Sequence, residues 1–316
     1  MTWDSALDLF LADLLKRGRK PSTVTTYRYD LSLFISWIEK RLKSPPEDVL
    51  DSLDANTLEL YLKTIRKERG ASISNIKRVR GIIINFLQFH GVANDLKSDV
   101  SPPELTSKHF ASDEEITRLF RVMRSYNGLT DYQASGRKFI LERNLLLVHF
   151  MLYYGLSIQD IITLSMHDIH FGTNTITPGG SHSYKRSITL SKEDVKLALS
   201  YYNQIPKLIR PRQQTGDPFF VAFDFAPQTF RWDYDKDQPA TLTRIAVQRM
   251  LQKEAKRAEI KVTPTMLRNR FILNALQNGM KPLEIKAYLG LKSVEALHRY
   301  TQFWNELQSK ENRIEL

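Results

Sequence analysis

A mainly α-helical fold carrying one small β-ribbon, divided into two domains, is what the sequence predicts. The chain has 316 residues, enough for two cores at roughly 100 to 200 residues per domain. Hydrophobic residues make up 42% and charged residues 26%, so apolar burial can offset the entropy of ordering the chain and a disordered protein is excluded. Over most of the length apolar residues recur in steps of three and four, the spacing of one helix face. Strand-like segments separated by turn residues occur only around residues 169–190.

Leu7, Phe10, Leu11 and Leu14 place the first helix between Trp3 and Lys16, ended by Gly18 and Pro21. Ser22 or Thr23 is expected to cap a second helix with Val24, Tyr27, Leu31, Phe34 and Ile38 inward, stopped by Pro45 and Pro46. A third is expected from about Ala55 to Lys67 before Gly70, and a fourth begins near Ser72 or Ser74 with Ile76, Val79, Ile83 and Phe86 on one face. Together they predict a helical domain over residues 1–96. Residues 97–108, which include Pro102-Pro103 and show no periodicity, read as a linker to a second domain over 109–316.

That domain is expected to open with a helix behind the capping box Ser112 to Glu115. A long apolar helix follows from Phe139 to Tyr154, then strands around Ile169–Ile176 and Ser187–Leu190 joined through Pro178-Gly179-Gly180. Helices resume at Lys192–Gln204, Leu242–Ala258, Pro264–Asn278 and Lys281–Leu289. Between Pro206 and Pro239 seven aromatics crowd among prolines and aspartates; with no basic row alternating with them, they read as a loop pinned to the core, not as a base-stacking platform.

Lysine and arginine number 46 against 35 acids, a formal charge of +11. Up to Leu105 the net charge is +2, and beyond it +9. A polyanionic partner is the first expectation. The absence of cysteine excludes disulfides, a thiol nucleophile and Cys-ligated metal centres. His167 and His170 form a spaced pair without an evident third ligand, so no metal and no cofactor is expected. No run of about 18 apolar residues occurs, so a soluble protein of a bacterial cytoplasm, associated with the nucleoid, is expected and no membrane partner.

Near the C-terminus the chain reads Thr263-Pro264-Thr265-Met266-Leu267-Arg268-Asn269-Arg270, then Leu289-Gly290-Leu291 and Arg299-Tyr300-Thr301. Here it resembles the tyrosine recombinases, the phage integrase family, whose boxes read roughly His-x-x-Arg and Gly-His with a tyrosine about ten residues on. Tyr154-Gly155-Leu156-Ser157-Ile158-Gln159-Asp160 resembles the family's first arginine box, Pro21 to Trp37 its core-binding domain, and Thr241 to Arg244 a recurrent helix start. The resemblance implies a SAM-like helical core-binding domain followed by an α+β catalytic-type domain. It also implies a tyrosine that attacks a DNA phosphate while arginines and histidine-type donors stabilise the phosphorane.

Arg268 and Tyr300 stand at the second arginine and the nucleophile. Ser157, Thr265 and Leu291 stand where the family has arginine, histidine and histidine. The family lysine would fall near Pro178 or Gly179, with Lys185 on the far side of the turn. Loss of one preorganised donor typically costs about 10² to 10³ in rate, so the expectation from the sequence is a non-enzyme, with Arg268 and Tyr300 vestigial and the DNA clamp retained. The chain resembles in this the integrase-derived master repressors of SPβ-type prophages, and a sequence-specific transcriptional repressor is the leading expectation. An active recombinase using substitutes such as Lys185, Arg270, Lys292 or His298, or an architectural subunit, are the alternatives. DNA contacts are expected from Ser74, Asn75, Lys77, Arg78 and Arg80 on the fourth helix, from Thr23 and Arg28 on the second, and from Lys185, Arg186, Arg244, Arg268 and Arg270. Phe303, Trp304, Leu307 and Ile314, in a tail with little chain to bury them, predict either self-association or a fold-back on the same domain. A regulatory protein partner remains open.

Overall fold

The structure is a computed structural model and describes residues 2–42, 53, 55–92, 104–179 and 186–314. The chain forms two compact units, Met1–Pro103 and Glu104–Leu316. The first holds four described helices: α1 (Trp3–Lys16), α2 (Pro21–Leu42), α3 (Ala55–Arg69) and α4 (Ile73–Phe89). Thr2 caps α1 and Ser72 caps α4, each accepting from a backbone N–H three residues on. Pro21 is itself the first residue of α2, where its missing N–H costs nothing. Phe10, Leu31, Phe34, Ile38, Tyr61, Ile83 and Phe86 fill the centre. Pro45, Pro46 and most of the expected linker lie outside the described residues.

In the second unit α5 (Asp113–Arg124) starts with the Ser112–Glu115 capping box, each side chain bonding the other's backbone N–H. The single helix expected from Phe139 is shorter and preceded by another: α6 (Asp131–Arg137), capped by Thr130, and α7 (Leu141–Tyr153). Helix α7 is buried on nearly all sides, from Arg143 to Leu152, and packs on α9 (Lys192–Gln204) and α11 (Pro264–Gln277). A helix wrapped by neighbours shows no polar face, which is why periodicity alone does not bound it.

Residues 169–176 are a hairpin, β1 (Ile169–His170) and β2 (Thr175–Ile176), where the sequence suggested one strand. Asn174 adopts φ 57° and turns the chain. β3 (Ile188–Thr189) completes an antiparallel sheet in the order β1-β2-β3, with Ile176 opposite both Ile169 and Ile188. The aromatic segment carries two small ribbons, β4 (Phe223–Asp224) with β5 (Thr229–Phe230) and β6 (Trp232–Asp233) with β7 (Gln238–Pro239). Phe219, Phe220 and Phe230 are buried in the core around Tyr201, whereas Tyr234 is exposed.

Short helix α8 (Ile158–Ile162) follows α7, and α10 (Arg244–Arg257) begins two residues later than expected because Thr243 caps it. α12 (Pro282–Leu289) ends at Gly290 in the left-handed conformation, φ 64°. Beyond Leu297 the chain forms α13 (His298–Ile314), absent from the expected elements. Phe303, Trp304 and Leu307 are half-buried against the second unit's C-terminal cluster, and Phe303 stacks on Phe110 at 4.7 Å. The tail therefore folds back on its own unit in the single chain. No helix among the described residues is long and apolar enough to cross a membrane.

Gly155 turns the chain from α7 into α8 at φ 62°, and a Cβ there would lie 2.4 Å from Phe271 Cδ1 and 2.8 Å from Leu289 Cδ2. A left-handed alanine costs roughly 1 to 2 kcal/mol, and the clash adds to it. Gly155→Ala is expected to lower the melting temperature by several degrees, at about 2 to 4 °C per kcal/mol for a domain of this size; an unchanged melting curve contradicts the close approach to Phe271.

Candidate functional site

Ser157 is the N-cap of α8: its hydroxyl accepts from the Asp160 N–H at 3.1 Å and donates to Asp160 Oδ2 at 2.6 Å, while its own N–H donates to the same oxygen at 2.8 Å. This capping box fixes the Asp160 carboxylate. Two guanidinium groups converge on it, Arg186 Nη2 at 3.2 Å from Oδ1 and Arg268 Nη1 at 3.3 Å from Oδ2. Burial by itself would raise the Asp160 pKa. The Ser157 hydrogen bonds and the two arginines outweigh it and hold the carboxyl below its ordinary range.

Arg268 lies on the first turns of α11, behind the Thr263 cap and Pro264. Burial lowers its pKa, with Asp160 and Tyr300 opposing and Arg186 adding to the fall. A cation in this state favours any anion that approaches. Tyr300, at the start of α13, is 7% exposed. Its hydroxyl donates to Asn269 Oδ1 at 2.8 Å and accepts from Arg299 Nη2 at 3.2 Å. Asn269 is 3% exposed and donates to the His109 carbonyl at 2.9 Å. Sequence reasoning missed Asn269, whose only signal is a polar residue on the inward side of α11. Thr265 is exposed in the first turn of α11, Leu291 is half-buried in the C-terminal cluster, and His298 is exposed.

Of the expected contact residues, Arg186 and Arg268 come together. Arg270 instead pairs with Asp113 at 2.7 Å, and Arg244 donates to Gln159 Oε1 at 3.0 Å. Lys185 lies outside the described residues. On α4 the expected row splits. Ser74, Asn75 and Lys77 are exposed, but Arg78 grips the buried Asp30 carboxylate of α2 with both Nη atoms and also donates to Asn75 Oδ1 at 2.8 Å. The Arg78 guanidinium thus joins two helices, with its side chain still 43% exposed. Arg80 pairs with Glu59 at 3.7 Å and Arg28 with Asp8 at 2.8 Å; Thr23 is half-buried on α2.

Residues 115–306 match the phage integrase family and residues 7–91 the phage integrase N-terminal SAM-like domain. The tyrosine recombinase XerD of Listeria innocua serovar 6a (strain ATCC BAA-680 / CLIP 11262) is 25% identical over 302 residues, 93% of each chain. XerA of Pyrococcus furiosus (strain ATCC 43587 / DSM 3638 / JCM 8422 / Vc1), also a tyrosine recombinase, is 24% identical over 94% of this chain and 88% of its own. The fold is shared with a XerH site-specific recombinase bound to palindromic difH substrate in a post-cleavage complex, at TM-score 0.67 and 15% identity over 94% of this chain and 81% of that one. It is shared too with the Tn1549 transposon integrase in complex with a circular intermediate DNA, at TM-score 0.62 and 16% identity over 97% and 98%.

The expectation of a non-enzyme is overturned by these relatives, which are named tyrosine recombinases and are therefore enzymes. It came from counting donors position by position at Ser157, Thr265 and Leu291. Two consecutive family models and relatives aligned over nine-tenths of the length leave one assignment: the chain belongs to the phage integrase family.

Proposed function

We propose that the protein binds duplex DNA at specific sites and seats a backbone phosphate at Arg268. The observation that carries this reading is a largely buried guanidinium held by a single carboxylate, with the Tyr300 hydroxyl bonded to the adjoining Asn269. The excess of basic residues beyond Leu105 supplies further phosphate contacts, which set register and bring salt dependence. Neighbours in fold that are solved with DNA support the duplex as partner.

Strand transfer is the reaction this arrangement supports. Tyr300 exchanges its hydrogen bond to Asn269 for the phosphate, passes its proton to solvent water and attacks phosphorus. A phosphotyrosyl diester forms, the bond from phosphorus to the 5′ oxygen breaks, and that oxygen takes a proton from solvent water and leaves as a hydroxyl. Arg268 stabilises the charge that builds on the non-bridging oxygens. Ligation is the reverse and needs no nucleotide. A second reading, transcriptional repression through occupancy of an operator, is favoured by Ser157, Thr265 and Leu291, uncharged where the resemblance expects arginine and two histidines. Occupancy draws on many Lys and Arg contacts and is less sensitive to any one of them.

Affinity for a selected duplex is expected to fall about 10³-fold or more between 50 and 200 mM salt if about six phosphates are contacted; affinity independent of salt removes the DNA reading. On nicked suicide substrates wild-type protein is expected to form a covalent adduct that Tyr300→Phe does not form. Genome-wide binding then separates the two uses, promoter-proximal sites favouring repression and paired sites at recombination junctions favouring strand transfer.

A further inference from the structure

Arg186 is a buried cation with donors to spare. Its side chain is 8% exposed, and among the described residues Nε and Nη2 have no hydrogen-bond partner. The 3.2 Å approach of Nη2 to Asp160 is an ion pair without the alignment of a hydrogen bond. Buried N–H groups are nearly always satisfied, and those of a guanidinium match the oxygen pairs of carboxylates and phosphates. The fold also makes room for this side chain. Gly290 takes φ 64° at the end of α12, and a Cβ there would lie 2.6 Å from Arg186 Nη1. Arg186, Arg268 and Asp160 together carry one uncompensated positive charge, so a phosphodiester, with its single negative charge, neutralises the cluster.

We propose that Arg186 is a second phosphate-binding residue of this site, delivered from just before β3 and supplying the positive charge that Ser157 does not carry. Asp160 holds Arg186 and Arg268 side by side, and the backbone phosphate takes the open donors of Arg186. This rests on the DNA-binding reading above and adds to it a source of charge that the Ser157 box does not supply. An arginine arriving from the β-sheet can satisfy the same phosphate as one on α8, because the anion senses where the guanidinium lies and not where its backbone starts.

The test uses full-length protein and a duplex selected from a randomised pool with wild-type protein. Arg186→Gln is expected to weaken binding about 10-fold or more and to reduce the slope of log affinity against log salt by about one contact. Arg186→Lys is expected to restore the slope but only part of the affinity, because an ammonium lacks the planar fork. The double variant Arg186→Gln with Asp160→Asn separates contact from support: if Arg186 only neutralises Asp160, this variant regains wild-type affinity, and if Arg186 binds phosphate, it stays weak. Wild-type slope in Arg186→Gln, or full recovery in the double variant, overturns the proposal. Should Arg186→Gln not fold, Arg186→Lys decides, since wild-type affinity at every salt concentration equally overturns it. Wild-type protein that binds no duplex in a salt-dependent way brings down the DNA-binding reading itself, a result distinct from all of these.

Discussion

Arg268→Ala is expected to slow covalent attachment to a nicked suicide duplex by about 10²- to 10³-fold, the usual cost of removing one preorganised donor to a developing oxyanion. Affinity for the same duplex is expected to fall about 10- to 100-fold, from the loss of a hydrogen bond to a charged group worth about 1.5 to 3 kcal/mol. The effect on rate exceeds the effect on binding because the phosphate carries more charge in the phosphorane than in the ground state, while affinity is spread over many contacts. The fold is expected to survive: Asp160 keeps its bonds from Ser157 and its pairing with Arg186. Adduct yield on a denaturing gel and affinity by mobility shift read the two numbers. An adduct rate equal to that of wild type in Arg268→Ala removes Arg268 from the phosphate site.

The legible parts of the fold are those where one face of a helix meets water. α1 and α9 run over the residues that the apolar spacing marks out, Trp3–Lys16 and Lys192–Gln204, because solvent on one side preserves the 3.6-residue period. α7 is buried on nearly all sides, Arg143 and Asn144 included, and its start had to come from structure. α6 and α13 were missed for opposite reasons. α6 is seven residues long with Gly136 near its end, too short for a period to show. α13 is mostly polar, and its few apolar residues read equally as a tail waiting for a second protomer.

At the site, the boxes around Ser157, Arg268 and Tyr300 were readable because each is local in sequence. What joins them was not. Asp160 looks like an ordinary acid of a helix start, yet its carboxylate takes the Ser157 cap and both arginines. Arg186, expected from the sequence only as a DNA contact, lies outside the boxes around Ser157, Arg268 and Tyr300, and its place just before β3 and beside Gly290 brings it to Asp160. Arg78 shows the converse. Its place in a polar row suggested a groove contact; the structure adds a grip on the buried Asp30 carboxylate, 48 residues away in sequence, with the Arg78 side chain still 43% exposed. Local pattern assigns a face; long-range pairing adds partners that the pattern does not show.

The largest effect on stability is expected from Glu254→Ala. Glu254 on α10 is buried and takes Arg137 of α6 in a two-pronged pair, Nη1 to Oε1 at 2.8 Å and Nη2 to Oε2 at 3.2 Å. Arg257 Nη1 adds a third bond to Oε2 at 2.6 Å. The same guanidinium groups reach the chain leaving α5: Arg137 donates to the Met123 carbonyl, and Arg257 to those of Ser125 and Asn127 at 2.9 Å each. Three helices are thus tied through one carboxylate. Removing it leaves the Arg137 charge buried and uncompensated, a change that costs about 3 to 5 kcal/mol. At about 2 to 4 °C per kcal/mol for a domain of this size, the melting transition of the second unit is expected to fall by roughly 6 to 20 °C. Replacing both partners, Arg137→Met with Glu254→Leu, is expected to cost much less than Glu254→Ala, because apolar side chains of similar volume leave no unpaired charge and Arg257, nearer the surface, can turn its head group to water. A Glu254→Ala protein melting within about 2 °C of wild type shows that water or a rearranged neighbour already carries the Arg137 charge, and the buried carboxylate then ceases to be the tie between these helices.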